Sequence, residues 1–274
     1  MKPFRDKNLS NEAYHAHEAI SKSKIDNLHK SLAHYLAPNR KETGYFNFGS
    51  ALHDAILLPQ LFEEKYVCMP DTIKIRRGKE WEAFKASVSD KTILTAEEFD
   101  LVRILKDRVM SHKICRNIFK EGEPEYSYFG EIEVMGQKIK TKCRPDFVSR
   151  SCLIDIKSTI DGSYDSFKRA ILKYRYHVQA AWYLDTVNQV MREIEKDWVD
   201  IDTFIFVAIE KEAPYPIAVY MLDRESIDLG RKQYQDDLKT LASYLLDPKP
   251  TLGYTDDAIQ MIGCPNYAFY EEIS

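Results

Sequence analysis

The strongest fold signal in this chain is residues 144–159, which read RPDFVSRSCLIDIKST. The aliphatic second half of this segment is typical of a strand inside a sheet. Because successive side chains of a strand point to opposite faces, we expect Asp155 and Lys157 to project together. The alternate positions, Ile154 and Ile156, would then enter the apolar layer. The pattern therefore predicts an aspartate and a lysine side by side on one face of an interior strand.

Charged side chains inside a sheet are unfavourable unless they are paired or bind an ion. Asp146 lies nine residues before Asp155, and carboxylates that converge from adjacent strands form an oxygen-rich site suited to Mg²⁺ or Mn²⁺. A protonated Lys157 cannot ligate a metal, but it can orient the attacking water and stabilise charge that develops on phosphorus. This combination predicts phosphodiester hydrolysis. A surface ion pair is the alternative for Asp155 and Lys157 taken alone.

A helix predicted from about Tyr176 to Val190 follows this strand. Tyr176, Gln179 and Tyr183 fall at i, i+3 and i+7 and therefore share one face. We expect that face to turn toward the charged end of the strand, where Gln179 and Tyr183 could hydrogen-bond a phosphate or a water. A role in helix capping and core packing is the alternative for the aromatic residues.

Outside this region, hydrophobic periodicity predicts helices first, then strands, a helix pair, further strands and a final helix. A helix from Ser21 to about Leu36 is stopped by Pro38, and a second helix is ended by Pro59. The other predicted elements are a helix capped at Thr95, a hairpin of 125–133 and 137–144, a helix over 163–173, strands over 203–210 and 217–222, and a helix over 223–246.

This order predicts an α/β (α+β) fold with a central mixed β-sheet flanked by helices. We expect a single domain over residues 1–274, since no Pro/Gly/Ser-rich linker divides the chain. Residues 1–120 would form a mainly helical portion, 121–222 the sheet core with the charged motifs, and 223–274 a C-terminal helix and tail.

The overall charge gives no sign of nucleic-acid binding, because 39 basic residues face 43 acidic ones. Between residues 138 and 175, however, ten basic residues accompany only four acidic ones. That segment predicts a groove for a polyanion, with a solvated lysine-rich face as the alternative. Five scattered cysteines argue against a zinc or iron–sulfur site. The lack of a long apolar run predicts no membrane span and a cytoplasmic protein.

Three successive motifs resemble those of the PD-(D/E)xK nuclease superfamily, and more narrowly the RecE-type exonuclease VIII of phages and prophages. They are RPD at 144–146, DIKST at 155–159 and YRYHVQAAWY at 174–183. Three N-terminal segments also match that family's pattern: LSNEAYH at 9–15, ISKS at 20–23 and FGSALH at 48–53. The resemblance spans roughly residues 8 to 185.

The resemblance implies a restriction-endonuclease-like core and a processive, ATP-independent 5′-to-3′ exodeoxyribonuclease. Such an enzyme degrades one strand of linear double-stranded DNA, leaves a 3′ overhang and acts with a single-strand annealing protein in recombination. The resemblance also implies a ring-shaped homo-oligomer, a trimer or tetramer, in the bacterial host cytosol. Mg²⁺, with Mn²⁺ as an alternative, is the implied cofactor, at two ions per active site.

The resemblance also implies roles for individual residues. Asp146 and Asp155 would bind metal, Ile156 would contribute its backbone carbonyl, and His53 would be a further ligand from an N-terminal helix. Lys157 would be the catalytic lysine. Gln179 and Tyr183 match the motif that follows the core.

The remaining predicted site residues are less tightly fixed by the motifs. Related nucleases use an acid from the strand before the Pro-Asp motif, and we favour Glu125 over Glu131 and Glu133 because Tyr126-Ser127-Tyr128 follows it as strand sequence. A helix N-terminus with hydroxyl groups suits a 5′-phosphate. The predicted DNA contacts are Ser21, Ser23, Lys24, Arg144, Arg175 and Tyr176.

Two other functions compete with the exonuclease. A PD-(D/E)xK endonuclease would cut DNA internally, and a non-catalytic clamp would bind DNA ends without hydrolysis. The intact set of Asp146, Asp155 and Lys157 argues against the clamp.

Overall fold

The computed structural model describes residues 2–38, 47–248, 254 and 259–265. The helices, numbered in chain order, are Asn11–Ala16 (α1), Lys22–Lys30 (α2), Leu32–Leu36 (α3), Asn47–Leu57 (α4), Pro59–Lys65 (α5), Lys79–Ser87 (α6), Ala96–Ser111 (α7), Lys113–Ile118 (α8), Tyr164–Lys173 (α9), Tyr176–Ile194 (α10) and Arg224–Leu246 (α11). The strands are Phe4–Asp6 (β1), Tyr66–Cys68 (β2), Thr92–Leu94 (β3), Glu123–Pro124 (β4), Ser127–Val134 (β5), Gln137–Cys143 (β6), Phe147–Val148 (β7), Leu153–Thr159 (β8), Phe204–Glu210 (β9) and Ile217–Met221 (β10).

The central sheet is five-stranded and mixed, with strand order β10-β9-β8-β7-β4. Strands β8 and β9 are parallel, with Asp155 opposite Phe206, and the other neighbours pair antiparallel. The β5–β6 hairpin joins β1 in a separate three-stranded sheet. The predicted α/β fold with a helix-flanked mixed sheet is therefore confirmed, and the hairpin lies outside that sheet.

Strand β8 separates two apolar clusters, as its alternation predicts. Ile154 and Ile156 are buried in a cluster with Leu52 of α4 and Val207 of β9. On the opposite face, Leu153 belongs to the cluster that contains the buried residues of α10. Because α4 and α10 cover opposite faces of β8, side chains from both helices can reach the end of this strand.

Helix α10 is held on the second face by packing and by one specific hydrogen bond. Trp182 is almost fully buried, and its indole N–H donates to the Lys142 carbonyl of β6 at 3.0 Å. Helix α11 approaches the start of α10 closely at Gly230, where a Cβ would lie 2.2 Å from the His177 carbonyl oxygen. Only glycine fits this contact, which fixes the beginning of α10 relative to α11.

One predicted helix boundary is wrong. The helix predicted from Ser21 to Leu36 is broken at Ser31, whose backbone is extended and whose hydroxyl caps α3 through the His34 N–H. A serine side chain competes effectively for a helix-terminal N–H, which explains the break. The predicted end of the second helix is confirmed, since α4 ends at Leu57, two residues before Pro59. Pro59 itself occupies the first turn of α5, where its missing N–H costs nothing.

Other boundaries are confirmed. Thr95 and Glu98 form a reciprocal capping box at the start of α7, and Asp223 accepts from the Ser226 N–H at the start of α11. Within the described residues, no helix combines the length and hydropathy that crossing a bilayer requires. Most of the predicted C-terminal tail, including 249–253, 255–258 and 266–274, lies outside those residues.

Candidate metal and catalytic site

Three metal-ligating side chains from distant parts of the chain converge at one end of the central sheet. The potential ligand atoms of His53, Glu125 and Asp146 all lie within 4.8 Å of one another. His53 comes from α4, Glu125 immediately precedes Tyr126 and β5, and Asp146 lies between β6 and β7. Two carboxylates and an imidazole form a donor set that fits a divalent cation such as Mg²⁺ or Mn²⁺.

Backbone contacts place the two acids. The Asp146 carboxylate accepts the Ile156 N–H at 2.6 Å, which ties it to β8 between Asp155 and Lys157. The Glu125 N–H in turn donates to the Asp146 carbonyl at 3.1 Å. Glu125 has φ 56°, a left-handed conformation that is unusual for a non-glycine residue and turns the chain from β4 into β5.

His53 is oriented by Asp146 and by the anchoring of its own helix. Its Nδ1 lies 3.4 Å from Asp146 Oδ2. The next residue, Asp54, accepts hydrogen bonds from Lys65 at 2.9 Å and from the Tyr66 hydroxyl at 2.8 Å. These bonds tie the part of α4 that carries His53 to the junction between α5 and β2.

The proximity of these groups shifts their protonation. Burial disfavours the charged imidazole of His53, but the Asp146 carboxylate outweighs burial and raises the His53 pKa to about 9. Burial and the neighbouring Asp146 charge raise the Glu125 pKa to about 8. Although burial opposes it, the His53 charge lowers the Asp146 pKa. At neutral pH the metal-free cluster therefore holds protons on His53 and Glu125, where a divalent cation would otherwise supply positive charge.

A second group of contacts surrounds Lys157 on β8. Its ammonium lies 2.7 Å from Asp155 Oδ2 and donates to Gln179 Oε1 at 3.2 Å. The Gln179 amide N–H₂ donates to the other Asp155 oxygen, so one glutamine connects both charged groups. Burial would lower the Lys157 pKa, but the carboxylates of Asp155 and Asp146 raise it. Lys157 is therefore a fixed cation rather than a proton acceptor at neutral pH.

The other predicted site residues on β8 and α10 lie around this group. The Lys157 ammonium sits over the Tyr176 ring, 4.7 Å from its centroid. Tyr183, one turn beyond Gln179, packs against Phe204, and burial raises its pKa, with further effects from Tyr14 and Asp155. Ile156 buries its side chain on the opposite face, so only its backbone is directed toward the acids.

Two of the predicted DNA-contacting arginines are bound within the protein. Arg144 donates to Ser127, Asn11 and the Leu9 carbonyl, at 2.8, 2.5 and 2.8 Å, and its guanidinium lies over the Tyr14 ring. Arg175 pairs with Asp26 at 3.1 Å and Asp237 at 2.7 Å, and its side chain is only 12% exposed. The donors of these arginines hold the N-terminal segment and the helix ends together, and contact of either arginine with DNA stays a prediction.

The predicted phosphate pocket at the start of α2 is only partly formed. The hydroxyls of Ser21 and Ser23 are 2.9 Å apart and hydrogen-bonded to each other. Lys24 donates to the Tyr35 carbonyl at 3.2 Å and lies over the Tyr35 ring, so it turns toward α3. Lys22 lies in the same ISKS motif. Burial lowers the pKa of Lys22, and the positive charge of Lys157 contributes to that lowering.

The basic segment 138–175 does not line one groove. Lys140 pairs with Glu18, Arg150 pairs with Glu195, and the buried Lys142 donates to the carbonyls of Tyr14 and His17. Three further basic residues of the segment are exposed on α9: Lys168, Arg169 and Lys173. Within this segment, the largest group of exposed basic side chains therefore lies on α9, the helix that precedes Tyr176.

Of the three acids weighed for the position before the Pro-Asp motif, only Glu125 joins the cluster. Glu131 and Glu133 lie along β5 in the hairpin, with Glu131 3.9 Å from Lys138. Asp237 was not predicted. It lies on α11, 62 residues from the Arg175 that it binds, and a single acid in an amphipathic helix carries no signal of such a contact.

Comparisons with known proteins agree with this geometry. A family model described as "PDDEXK-like domain of unknown function (DUF3799)" matches residues 20–247. No curated protein matches the sequence significantly. A crystal structure described as a "Putative exonuclease" from Eubacterium rectale is similar over 98% of this chain and 100% of that chain, with a TM-score of 0.59 and 11% identity.

At that identity, the likeness shows a shared fold. A second structure, described as SSO0001, has a TM-score of 0.30 and 18% identity over 74% of this chain and 89% of that chain. That similarity is too low to inform the fold or the function. The family match covers most of the chain and includes every candidate ligand and catalytic residue described above. The chain therefore belongs to the DUF3799 family of PDDEXK-like domains, and with that family to the PD-(D/E)xK nuclease superfamily.

Proposed function

We propose that this protein is a metal-dependent nuclease that hydrolyses phosphodiester bonds in DNA. One observation carries the proposal: the cluster of His53, Glu125 and Asp146 is joined to Asp155 and Lys157 through a single hydrogen bond, from the Ile156 N–H to Asp146. A ligand set for a divalent cation and a largely buried lysine thus meet beside one strand, which is a combination suited to phosphodiester hydrolysis.

The metal would be held by His53, Glu125 and Asp146, with Asp155 and the Ile156 carbonyl as further ligands. Mg²⁺ is the proposed ion, and Mn²⁺ would be accepted because the set includes an imidazole. A divalent cation bound there supplies positive charge that makes the phosphorus of the scissile bond more electrophilic. The number of ions that we propose per site is two.

The protein's own residues supply orientation and further positive charge. Lys157 is held as an ammonium by Asp155 and Gln179, so it donates to a phosphate oxygen or to the attacking water without rearranging. Gln179 keeps the lysine and the carboxylate in position through the oxygen and the N–H₂ of its one side-chain amide. As the bond from the water oxygen to phosphorus forms, the water releases a proton, the bond to the leaving oxygen breaks and that oxygen takes up a proton. The fixed ammonium stabilises the added negative charge.

The motif resemblance supports a more specific activity. We propose 5′-to-3′ hydrolysis of one strand of linear double-stranded DNA, which leaves a 3′ overhang for a single-strand annealing protein. A ring-shaped homo-oligomer that encloses the duplex would make this hydrolysis processive. These properties rest on the RecE-type motifs and extend beyond what family membership establishes.

Digestion of linear duplex DNA labelled at one 5′ end or one 3′ end tests this function. The reaction contains Mg²⁺ and no ATP, and a covalently closed circle is incubated alongside. Early release of the 5′ label with the circle intact is the expected result. A cut circle would identify an endonuclease, and binding without hydrolysis would identify a clamp.

Two variants show whether any hydrolysis comes from this site. Lys157→Ala removes the fixed ammonium and should abolish label release. Lys196→Ala removes an exposed lysine beyond the far end of α10 and serves as the matched control with wild-type activity.

A further inference from the structure

We propose that Tyr174 is a stacking platform for an unpaired nucleotide of the DNA strand that enters the site, and that Lys173 contacts the adjacent phosphate. This inference rests on the proposed nuclease function and names the form of DNA that the site receives. Tyr174 is the first residue of the YRYHVQ segment, and Lys173 immediately precedes it.

A continuous line of contacts leads from the catalytic lysine to the surface. The Lys157 ammonium lies over the Tyr176 ring at 4.7 Å. Tyr176 in turn stacks on Tyr174, with ring centroids 5.5 Å apart and an interplanar angle of 29°. The Tyr174 side chain is about half exposed, and the Lys173 ammonium lies 5.3 Å from its ring centroid. The rings of Tyr176 and Tyr174 therefore form a line of contacts from the largely buried Lys157 to an exposed surface.

The junction between α9 and α10 holds Tyr174 in place. Arg175 adopts a left-handed conformation with φ 53°, and its buried guanidinium is fixed by Asp26 and Asp237. Lys22 donates to the Tyr174 carbonyl at 2.9 Å. The backbone of Tyr174 and the residue that follows it are thereby anchored to α2 and α11. A platform that is already ordered loses little conformational entropy when a ligand stacks on it.

The surroundings of Tyr174 fit a single strand of nucleic acid. Leu172, two residues before Tyr174 on α9, is an exposed large apolar residue at 66%, and Lys168 and Lys173 are exposed on the same helix. Bases offer a flat apolar face and phosphates a negative charge, and proteins bind single strands by combining aromatic stacking with basic side chains. Bases inside a duplex are already stacked on both faces, so this surface favours an unpaired or terminal nucleotide.

The contact between Lys173 and the ring does not prevent stacking. Cation–π contacts at exposed sites are weak, so the ammonium can leave the ring when a base arrives. It then pairs with a phosphate of the same strand, which replaces one attraction with a stronger one between opposite charges.

Binding of a fluorescein-labelled single-stranded oligonucleotide tests the platform. Ca²⁺ replaces Mg²⁺ in the assay, and the length of the oligonucleotide is checked afterwards. Tyr174→Ala should weaken binding by about tenfold, whereas Tyr174→Phe, which keeps the ring, should bind like the wild type. Tyr174→Leu keeps apolar volume without a flat face and should bind like Tyr174→Ala. Lys173→Ala should reduce the slope of log K against log salt by about 0.7.

Control experiments separate this inference from the proposed function. Val199→Ala removes an exposed apolar side chain at the opposite end of α10 and should bind normally. Melting curves confirm that each variant is folded, and gel filtration detects any change in oligomeric state.

If the wild type hydrolyses DNA but Tyr174→Ala binds the oligonucleotide as tightly as Tyr174→Phe, the platform is wrong and the nuclease stands. If Tyr174→Ala instead changes the oligomeric state, the surface is a contact between copies and the platform is likewise wrong. A wild type that hydrolyses no DNA under any condition overturns the proposed function itself.

Discussion

Charged residues surround both the beginning of strand β8 and its middle, but the two regions hold that charge differently. At the beginning of β8, a cavity of about 660 Å³ is lined by residues that include Arg5, Glu123, Arg150 and Glu195. These four form two ion pairs, Arg5–Glu123 and Arg150–Glu195, with side chains 31–76% exposed. Each charge has one opposite partner and access to water.

In the middle of β8, around Asp155 and Lys157, the charges are more deeply buried and are shared among several groups. Asp155 is 3% exposed in its side chain, Lys157 is 20% exposed, and the cluster of His53, Glu125 and Asp146 lies beside them. Three carboxylates here face only two basic groups, and the shifted pKa values of His53 and Glu125 show that the groups interact strongly. We therefore place the proposed chemistry beside Asp155, where burial combines with convergent charge, and not in the cavity, which offers concave volume alone.

The largest expected difference between the two regions is in the rate of DNA hydrolysis. Lys157→Ala or Asp146→Asn should lower the rate of DNA hydrolysis at least about a hundredfold, because the first removes positive charge beside the reacting phosphate and the second removes a ligand of the proposed metal. Arg150→Ala, at the beginning of β8, should retain the wild-type rate. Initial rates on linear duplex DNA in Mg²⁺ measure both. Loss of activity in Arg150→Ala with retention in Lys157→Ala would place the active site in the cavity.

Metal binding should stabilise the protein, and the effect should grow with pH. His53 has a pKa of about 9 against an ordinary value of 6.5, so its contribution to stability is full below pH 6.5 and is lost as pH rises through 9. The raised pKa of Glu125, about 8, likewise costs stability as pH rises from 4.5 to 8. The metal-free protein should therefore lose stability between about pH 6.5 and 9.

Mg²⁺ should reverse this loss, because it replaces the protons on both groups. Free metal at a hundred times its dissociation constant adds about 2.7 kcal/mol to the free energy of unfolding. Melting curves from pH 6.5 to 9, with Mg²⁺ or with EDTA, measure the effect. His53→Ala should show a smaller Mg²⁺-dependent shift. An equal shift in this variant would mean that Mg²⁺ binds elsewhere.

Backbone packing should also distinguish the contact between α10 and α11 from an open helix position. Gly230→Ala would place a Cβ 2.2 Å from the His177 carbonyl oxygen, next to the turn that carries Gln179. Since backbone cannot yield cheaply, the free energy of unfolding should fall by about 1–3 kcal/mol. Gly49→Ala on α4 is the matched control: among the described residues outside its own helical turn, no atom lies within 4 Å of its added Cβ, and alanine favours the helix. Denaturant unfolding compares the two, and equal stabilities would contradict the close helix contact.

The smallest effect is expected at the beginning of β8. Glu195→Gln removes the partner of Arg150, and exposed ion pairs contribute about 0–1 kcal/mol to stability. Chemical denaturation of this variant should therefore give a nearly unchanged midpoint and an unchanged hydrolysis rate. A decrease in the free energy of unfolding well above 1 kcal/mol would show that the region beside the beginning of β8 also depends on buried charge.

Much of the fold could be predicted because its signals are local. The alternation of residues 154–157 separates the two faces of β8, and the capping box at Thr95 defines the start of α7. The break at Ser31 was missed because apolar spacing continues across it, while a hydroxyl that caps the next turn interrupts the helix. The hairpin's separation from the central sheet was also missed, since it depends on pairing with the distant strand β1.

The site could be predicted only in part. Asp155, Lys157 and Gln179 were placed by strand and helix periodicity, and the contacts among them follow that geometry. The proximity of His53 to Asp146 crosses 93 positions of the sequence and was available only through the motif resemblance. The internal roles of Arg144 and Arg175 could not be predicted, because a basic residue is equally suited to DNA and to a carboxylate partner within the fold.

The most direct test of the comparison is anomalous scattering from crystals of this protein grown or soaked with Mn²⁺. We expect an anomalous peak from Mn²⁺ bounded by the side chains of His53, Glu125 and Asp146, on the side of β8 that carries Asp155. A crystal with Mn²⁺ bound in the cavity at the beginning of β8, or with no ordered ion at the acidic cluster, would contradict it.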